Sequence, residues 1–234
     1  MSWLQDPAKT AVNYATEANL RARRALYEEV EGEPAHDVLR RLIAQRAPHR
    51  VLEVGGGPGE LAAWMQSELD AEVAYVDLSP RMVELARERG VAAQQGDVQE
   101  LPFADASFDT VVAAWMLYHV PDLDRGLAEI ARVLVPGGVL VAVTNSLGHL
   151  DELRALIAYE RPGEPFNREN GEELLAPHFA AIERHDVDGR VIVRRREQLV
   201  GYEQSIPVPT RPVPEDVELP FVTWTRVSIF VATT

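Results

Sequence analysis

Hydrophobic positions along the first 145 residues alternate between helical spacing and short apolar runs. The helical spacing is clearest before Pro48, where four apolar residues lie on one face: Val38, Leu39, Leu42 and Ile43. Residues 51–54 then form a short apolar run that enters a glycine-rich segment at residues 55–59. Such a run before a cluster of glycines is typical of a buried strand that ends in a tight loop. This part of the chain therefore predicts a helix, a strand and a loop.

The same alternation continues, with further apolar runs at residues 73–76, 91–94, 108–114 and 139–143. After the second strand, Ser79 and Pro80 supply the N-cap and first turn of a helix that stops at Gly90. A helical stripe over residues 123–134 is closed by Pro-Gly-Gly at residues 136–138. Strands that alternate with helices require right-handed crossovers and a parallel sheet covered on both faces. The predicted fold class is α/β, doubly wound.

The pattern changes after residue 146. Helical segments are expected near residues 150–159 and 171–176, and strands near residues 182–187 and 225–232. Asp188 and Gly189 indicate a turn after the first of these strands. A proline-rich stretch between residues 207 and 220 predicts an ordered insertion or a loop over the edge of the sheet. We identify no internal repeat and expect a single domain.

Charge and cysteine content exclude several classes of function. The net charge of −14 argues against a nucleic-acid partner, because nucleic-acid affinity rests on clustered Lys and Arg. The absence of cysteine removes disulfides, thiolate zinc sites and cysteine nucleophiles, and we expect no metal site. The start of the chain lacks the pattern of a signal peptide, and the longest apolar run is too short to cross a bilayer. We therefore expect a cytoplasmic protein that does not bind membranes, as a monomer or a homodimer.

The glycine-rich segment carries the main chemical signal. Glycines at positions 55, 57 and 59 give the spacing G-x-G-x-G, whereas the dinucleotide fingerprint is G-x-G-x-x-G. Glycines remove Cβ atoms, so the backbone can turn tightly and contact a ligand. Glu53 precedes the loop. Its carboxylate would repel a pyrophosphate but suits a ligand that carries an ammonium and a sulfonium.

Further segments match one known family in order and spacing: Asp77, Gly96-Asp97-Val98, Leu101-Pro102-Phe103, Ser107-Phe108-Asp109 and residues 132–138. Over residues 50–145 the chain resembles the class I S-adenosylmethionine-dependent methyltransferases, in the small-molecule branch that includes ubiquinone and menaquinone biosynthesis methyltransferases. The resemblance implies a Rossmann-like, mostly parallel sheet of seven strands. It also implies an N-terminal helical lid at residues 1–34, a cofactor-binding core at 35–145 and a C-terminal part with substrate-side insertions at 146–234.

The resemblance implies S-adenosylmethionine as cofactor. The loop of residues 53–59 would pack against its methionine and ribose, Asp77 would accept from both ribose hydroxyls, and Asp97 would accept from the adenine amino group. The full set of expected cofactor-binding residues is Glu53, Gly55, Gly56, Gly57, Gly59, Asp77, Leu78, Asp97, Val98, Ala114 and Tyr14. Tyr14 is expected to approach the cofactor's carboxylate or the acceptor. The alternative is a solvated N-terminal helix anchored through its apolar residues.

Methyl transfer from a sulfonium is an in-line displacement, so the protein mainly aligns the reactants and excludes water. A general base is needed only when the acceptor must lose a proton. His119, after the fourth strand, and His149, after the fifth, are the candidate catalytic residues. The alternative for His119 is a helix cap or a pocket lining, and Trp115 and Tyr118 line the pocket or pack in the core. His36 is expected at the surface.

Three functions remain open on the sequence. The first is a methyltransferase that acts on N, O or C of a small molecule. The second is a non-catalytic protein that binds S-adenosylmethionine or S-adenosylhomocysteine. The third, a nicotinamide-dependent oxidoreductase, is disfavoured by the glycine spacing.

Overall fold

The structure is a computed structural model and describes Gln5, residues 17–160, Gly163 and residues 165–234. Tyr14 lies outside the described residues. Within them, one sheet of eight strands has the order β1-β7-β8-β6-β5-β2-β3-β4. The strands are β1 (Val30–Glu31), β2 (Arg50–Val54), β3 (Glu72–Asp77), β4 (Ala92–Gln95), β5 (Phe108–Ala114), β6 (Leu134–Asn145), β7 (Ala181–Val193) and β8 (Phe221–Thr233).

The half of the sheet from β4 to β6 is parallel throughout, as the alternation of strands and helices predicted. Strand β8 runs antiparallel to β6 and β7, and β1 antiparallel to β7. The predicted number of seven strands was wrong by one. Strand β1 has two residues, too few to show any hydrophobic period, and it exists because it pairs with Arg190 and Val191 of β7.

Helices cover both faces of the sheet, so the doubly wound α/β class is confirmed. The helices are α1 (Ala18–Ala25), α2 (Ala35–Gln45), α3 (Glu60–Leu69), α4 (Pro80–Glu88), α5 (Leu123–Val133), α6 (Asp151–Leu156), α7 (Gly171–Leu175) and α8 (Arg196–Gln204). Consecutive strand residues point to opposite faces. Val51 accordingly packs with α2, α3 and α4, whereas its neighbour Leu52 packs with α5 and α7.

Two turn signals in the sequence lie inside strands instead. Asp188 and Gly189 are part of β7, because a bare glycine lets β1 approach closely: a Cβ on Gly189 would lie 2.9 Å from the carbonyl oxygen of Glu31. The Pro-Gly-Gly at residues 136–138 is part of β6, at an irregularity in its pairing with β5. Both strands are therefore longer than predicted.

Helix α8 was not predicted, because its apolar residues do not form a clear helical stripe. Only two of its residues, Gln198 and Leu199, are buried. Gln198 donates to the carbonyl oxygen of Ala25, which ties α8 to the end of α1. The proline-rich stretch is an ordered loop. Its buried Val213 belongs to the same hydrophobic cluster as Leu26 and Leu199. No helix among the described residues has the length and apolarity needed to cross a membrane.

Candidate functional site

A cleft of about 920 Å³ opens where the parallel strands β2, β3 and β5 end. Open parallel sheets bind ligands at the carboxyl ends of their strands, where the strand order reverses. Strand β2 is that point here, because β3 lies on one side of it and β5 on the other. The volume is at the upper end of the range of small-molecule sites, so the cleft has room for more than one small molecule.

The glycine loop after β2 forms the floor of this cleft through Gly55, Gly56 and Gly57. Each glycine is required for a different reason. A Cβ on Gly55 would lie 2.9 Å from the side chain of Met116, and one on Gly56 would lie 2.3 Å from the carboxyl carbon of Glu53. Gly57 has a φ of +61°, and the nearest atom to its Cβ position is in Leu20 at 3.9 Å. Substituents at Gly57 would therefore point into open space of the cleft.

Gly59 has a packing role. It begins α3 with a φ of +77°, and a Cβ there would lie 2.6 Å from the Cβ of Ala86 on α4. Gly59 does not belong to the described lining of the cleft. The absence of a Cβ at Gly59 lets α3 and α4 approach each other closely, and this packing holds the end of the glycine loop in place.

Glu53 lies beneath the loop with only 1% of its surface exposed, yet it lines the cleft. Its Oε2 atom has no hydrogen-bond partner among the described residues. Burial raises the pKa of this carboxyl to about 8, opposed by a backbone hydrogen bond from Ala62 and assisted by the charge of Asp77. The group is thus an acid that a positively charged ligand would ionise.

Replacing Glu53 with glutamine should change how stability depends on pH. The folded protein holds the Glu53 proton up to about pH 8, whereas the unfolded chain releases it near its ordinary value of 4.5, so the free energy of unfolding falls as pH rises between these values. In the Glu53→Gln variant this fall in the free energy of unfolding is absent, because glutamine does not titrate. Urea unfolding at pH 5.5 and 8.0 should show the variant gaining stability relative to wild type at the higher pH. The exposed Glu68→Gln change is the control, and a parallel pH response of all three proteins would contradict the prediction.

Asp77, at the end of β3, is fixed by three donors. The backbone N–H of Ser79 donates to Oδ1 at 2.8 Å, and the hydroxyl of Tyr75 and the N–H of Gly57 lie 3.0 and 3.3 Å from Oδ2. Burial nevertheless raises the pKa of Asp77. A carboxylate has about four acceptor positions, so it retains capacity for a ligand. The bond to Gly57 joins the two predicted binding elements directly.

The remaining predicted cofactor residues lie along the same wall. Leu78, Asp97, Val98 and Ala114 all line the cleft. Leu78 is 44% exposed, an apolar side chain turned toward the cleft, and Val98 is buried. The carboxylate of Asp97 accepts from the backbone and the side-chain amide of Gln99. The structure therefore brings together, among the described residues, every predicted cofactor residue except Gly59.

The two candidate catalytic histidines both line the cleft, but in different settings. The ring of His119 packs on Tyr118 with centroids 4.6 Å apart, within a short 3-10 turn after β5. His149 is buried at 7% exposure. Its Nδ1 accepts from the backbone N–H of Arg226 at 3.0 Å, and its Nε2 lies 2.8 Å from the hydroxyl of Tyr27.

The sequence predicted His36 at the surface and Trp115 either as a pocket lining or as a core residue. His36 is exposed, as expected, but it also lines the cleft and stacks on Trp115 with centroids 4.6 Å apart. Trp115 itself has a φ of +54°, a strained conformation for a bulky residue, and donates through Nε1 to Asn145. The structure places Trp115 on the cleft wall, together with Tyr27. In the described ranges, no group of three or more His, Asp or Glu residues could hold a metal ion.

With this geometry in view, comparison with known proteins gives a clear result. Residues 52–142 match the family described as a methyltransferase domain. The matched segment is similar to a methyltransferase domain. Its bounds run from the third residue of β2 into β6, so it includes the glycine loop, Asp77 and Asp97. Helix α1, Tyr27 and His149 lie outside the matched residues.

Curated relatives are methyltransferases. The methyltransferase GfsG of Streptomyces halstedii is 32% identical over 160 residues, which cover 64% of this chain and 53% of that protein. The demethylmenaquinone methyltransferase of Deinococcus radiodurans is 40% identical over 102 residues, covering 41% of this chain and 42% of that one. The chain thus spans about half the length of these two relatives.

A solved structure shows the same fold. The phosphoethanolamine N-methyltransferase 2 of Haemonchus contortus, solved with phosphomonomethylethanolamine and S-adenosylhomocysteine, superimposes with a TM-score of 0.64. The two chains are 18% identical, and the superposition covers 99% of this chain and 60% of the other. At this identity the likeness establishes the fold.

Proposed function

We propose that the protein transfers the methyl group of S-adenosylmethionine to a small-molecule acceptor. The observation that carries the proposal is the convergence of three carboxyl groups, those of Glu53, Asp77 and Asp97, on the cleft whose floor is the bare glycine loop. S-adenosylmethionine carries two positive centres, an ammonium and a sulfonium. Carboxylates at the strand ends complement such a ligand, and the methyltransferase relatives support the same cofactor.

The residues present fit this group. Glu53 offers a buried oxygen without a hydrogen-bond partner in the described part of the chain, which suits an ammonium. Gly57 leaves open space where any side chain would intrude. Asp77 would accept from the ribose hydroxyls, Asp97 from the adenine amino group, and Leu78 would cover the adenine face. When bound, the cofactor supplies a methyl group activated by the sulfonium.

The chain's own contribution is alignment and exclusion of water. Helix α1 contributes Leu20, Arg23 and Arg24 to the cleft wall opposite the loop. Arg24 pairs with Glu60 at the start of α3, and Arg23 donates to Ser205 just after α8. We propose that α1 acts as the lid over the bound cofactor, and that His119 borders the adenosyl side of the cleft.

The proposal is tested by titration with S-adenosylhomocysteine. At about a hundredfold excess over the dissociation constant, a ligand that binds only the folded protein stabilises it by about 2.7 kcal/mol. For a chain of this size that raises the midpoint of thermal unfolding by about 5 to 10 °C. NAD+ at the same concentration should leave the midpoint unchanged. Stabilisation by NAD+ alone would overturn the proposal.

Binding alone does not separate an enzyme from a catalytically silent binder. Release of S-adenosylhomocysteine from S-adenosylmethionine in the presence of a panel of phenols, amines, carboxylic acids and activated carbon acids makes that distinction. We expect turnover with at least one acceptor class. Tight binding without turnover on the whole panel would favour the non-catalytic alternative.

A further inference from the structure

A buried tyrosine lies beneath the glycine loop. Tyr75 is on β3, where the sequence shows only an apolar run, and its side chain is 0% exposed. It lies in register with Glu53 of β2 and Ala93 of β4. Side chains two positions apart on a strand point to the same face, so Tyr75 and Asp77 share one face of the sheet. Tyr75 is not among the described residues that line the cleft.

The hydroxyl of Tyr75 contacts two acceptors. It donates to the main-chain carbonyl oxygen of Gly57 at 2.5 Å, and it lies 3.0 Å from Oδ2 of Asp77. A phenol carries one hydrogen, and carbonyl and carboxylate oxygens both accept, so this hydrogen is shared between the loop and the end of β3. One acceptor would be enough to satisfy a buried hydroxyl. The second contact makes the hydroxyl a bridge between two elements of the site.

Gly57 is held through both of its peptide groups. Its N–H donates to Oδ2 of Asp77 at 3.3 Å, while its carbonyl oxygen accepts from Tyr75. Gly57, Asp77 and Tyr75 therefore form a closed ring of hydrogen bonds. A glycine has many accessible backbone conformations, and ordering such a residue costs entropy. The two hydrogen bonds select one of these conformations, with a φ of +61°, at the glycine that faces the cleft.

Packing fixes the position of the phenol oxygen. The ring of Tyr75 belongs to the same hydrophobic cluster as Met65 of α3 and Ala86 of α4. Ala86 is also the residue that a Cβ on Gly59 would contact, at 2.6 Å. One buried cluster thus supports the loop at two points, through the hydroxyl at Gly57 and through helix packing at Gly59.

The phenol remains a donor throughout the pH range in which proteins are stable. Burial, assisted by the charges of Asp77 and Glu53, raises the pKa of Tyr75. Burial also raises the pKa of Asp77, and the hydrogen bonds from Ser79, Tyr75 and Gly57 oppose this rise. A donor aimed at a carboxylate favours its charged form. Tyr75 therefore supports both the position and the charge of Asp77.

We propose that Tyr75 is a positioning residue for the cofactor, whose hydroxyl holds Gly57 and Asp77 in the binding arrangement before the ligand arrives. The residue acts through these two groups and does not contact the ligand. Ordering the site in advance lowers the entropy that binding must cost. The inference rests on the proposed function, since Gly57 and Asp77 are the groups that would meet the ligand.

Hydrogen exchange on the ligand-free protein tests the first half of the inference. Tyr75→Phe keeps the buried ring and removes only the hydroxyl. The amides of residues 55–57 and of Gly59 should exchange about 3- to 10-fold faster in this variant, the range expected for the loss of one hydrogen bond. Mass spectrometry of peptides that cover the loop measures the rates. Because no ligand is present, the result does not depend on the proposed function.

Thr144→Val is the matched control. Thr144 is 0% exposed, and its hydroxyl donates to the carbonyl oxygen of Phe166 at 3.0 Å. It does not belong to the described lining of the cleft. Valine has nearly the same shape, so the variant also loses one buried hydroxyl without a large change in packing. Urea unfolding should show a similar loss of stability in both variants, but Thr144→Val should leave exchange in the loop at the wild-type rate.

Binding measurements test the second half. Calorimetry should show S-adenosylhomocysteine bound about 5- to 20-fold more weakly by Tyr75→Phe, although the hydroxyl makes no bond to the ligand. In wild type, adenosine should bind about 10- to 100-fold tighter than 2′,3′-dideoxyadenosine, which lacks the ribose hydroxyls. Tyr75→Phe should reduce that ratio at least about threefold, because Asp77 is no longer held against the loop. Thr144→Val should keep both the affinity and the ratio.

Three results in Tyr75→Phe would each overturn this inference: wild-type exchange in the loop, affinity for S-adenosylhomocysteine within about twofold of wild type, or an unchanged ratio of the two nucleosides. Equal effects of Thr144→Val would also overturn it, because a general loosening of the core would then explain the data. A wild-type protein that binds no S-adenosylhomocysteine is a different result. It would reject the proposed function, while the exchange rates would still show whether Tyr75 holds the loop.

Discussion

Replacing Gly57 with valine is expected to weaken the binding of S-adenosylhomocysteine by at least about 100-fold, because the new side chain fills the space that the bare loop leaves to the ligand. The nearest atom to its Cβ is 3.9 Å away, so the side chain meets little of the protein itself. The φ of +61° costs the variant about 1 to 2 kcal/mol of stability. Calorimetric titration together with thermal unfolding measures both effects.

A matched control separates backbone strain from obstruction of the cleft. Gly90 has a φ of +81°, and nothing lies within 4 Å of its Cβ position. Gly90 directly follows Arg89, the C-cap residue of α4, and it does not belong to the described lining of the cleft. Gly90→Val should therefore lose similar stability but bind the ligand normally. Equal affinities of the two variants would show that the loop does not contact the cofactor.

Removing the carboxylate of Asp77 is expected to weaken binding by about 10- to 100-fold. A hydrogen bond to a charged group contributes about 1.5 to 3 kcal/mol, and Asp77→Ala also removes the acceptor that holds the N–H of Gly57. The variant leaves the donors of Gly57, Tyr75 and Ser79 without this acceptor, so the ligand-free protein should also lose some stability. Calorimetry with S-adenosylhomocysteine gives the change in affinity, and circular dichroism shows whether the fold is retained.

Asp216→Ala is the control for this variant, since Asp216 is exposed in a turn outside the cleft lining. Its affinity should match wild type. An Asp77→Ala protein that binds within twofold of wild type would remove the ribose assignment. The glycine loop alone would then have to explain the site.

The parallel half of the sheet could be predicted because its signals are local. Strands β2, β3 and β5 each carry an apolar run. Glycines follow β2 and Asp77 ends β3, so at these two strands the hydrophobic pattern and the loop chemistry agree on the same boundaries. Ser79 caps α4 as predicted, with its side chain accepting from the N–H of Met82. The order of these elements placed Glu53, Asp77 and Asp97 at one edge without further information.

The contact between Tyr27 and His149 could not be predicted, because the two residues meet only through long-range packing. Tyr27 and His149 lie 122 positions apart, and the tautomer of His149 is set by a backbone N–H on β8, 77 positions further along the chain. Gly189 shows the same limit. Its sequence context predicts a turn, but the close packing of β1 against it keeps Gly189 inside strand β7.

The two ends of the cleft are built from largely different stretches of chain, and this separation has a consequence for engineering. A mutant library confined to Tyr27, Leu39, Asn145 and Val227 would leave the glycine loop and the strand-end carboxylates untouched. Under the proposed function, such a library would vary the acceptor while retaining the methyl donor. The choice of acceptor would then change without rebuilding the half of the cleft that holds the glycine loop and the carboxyl groups.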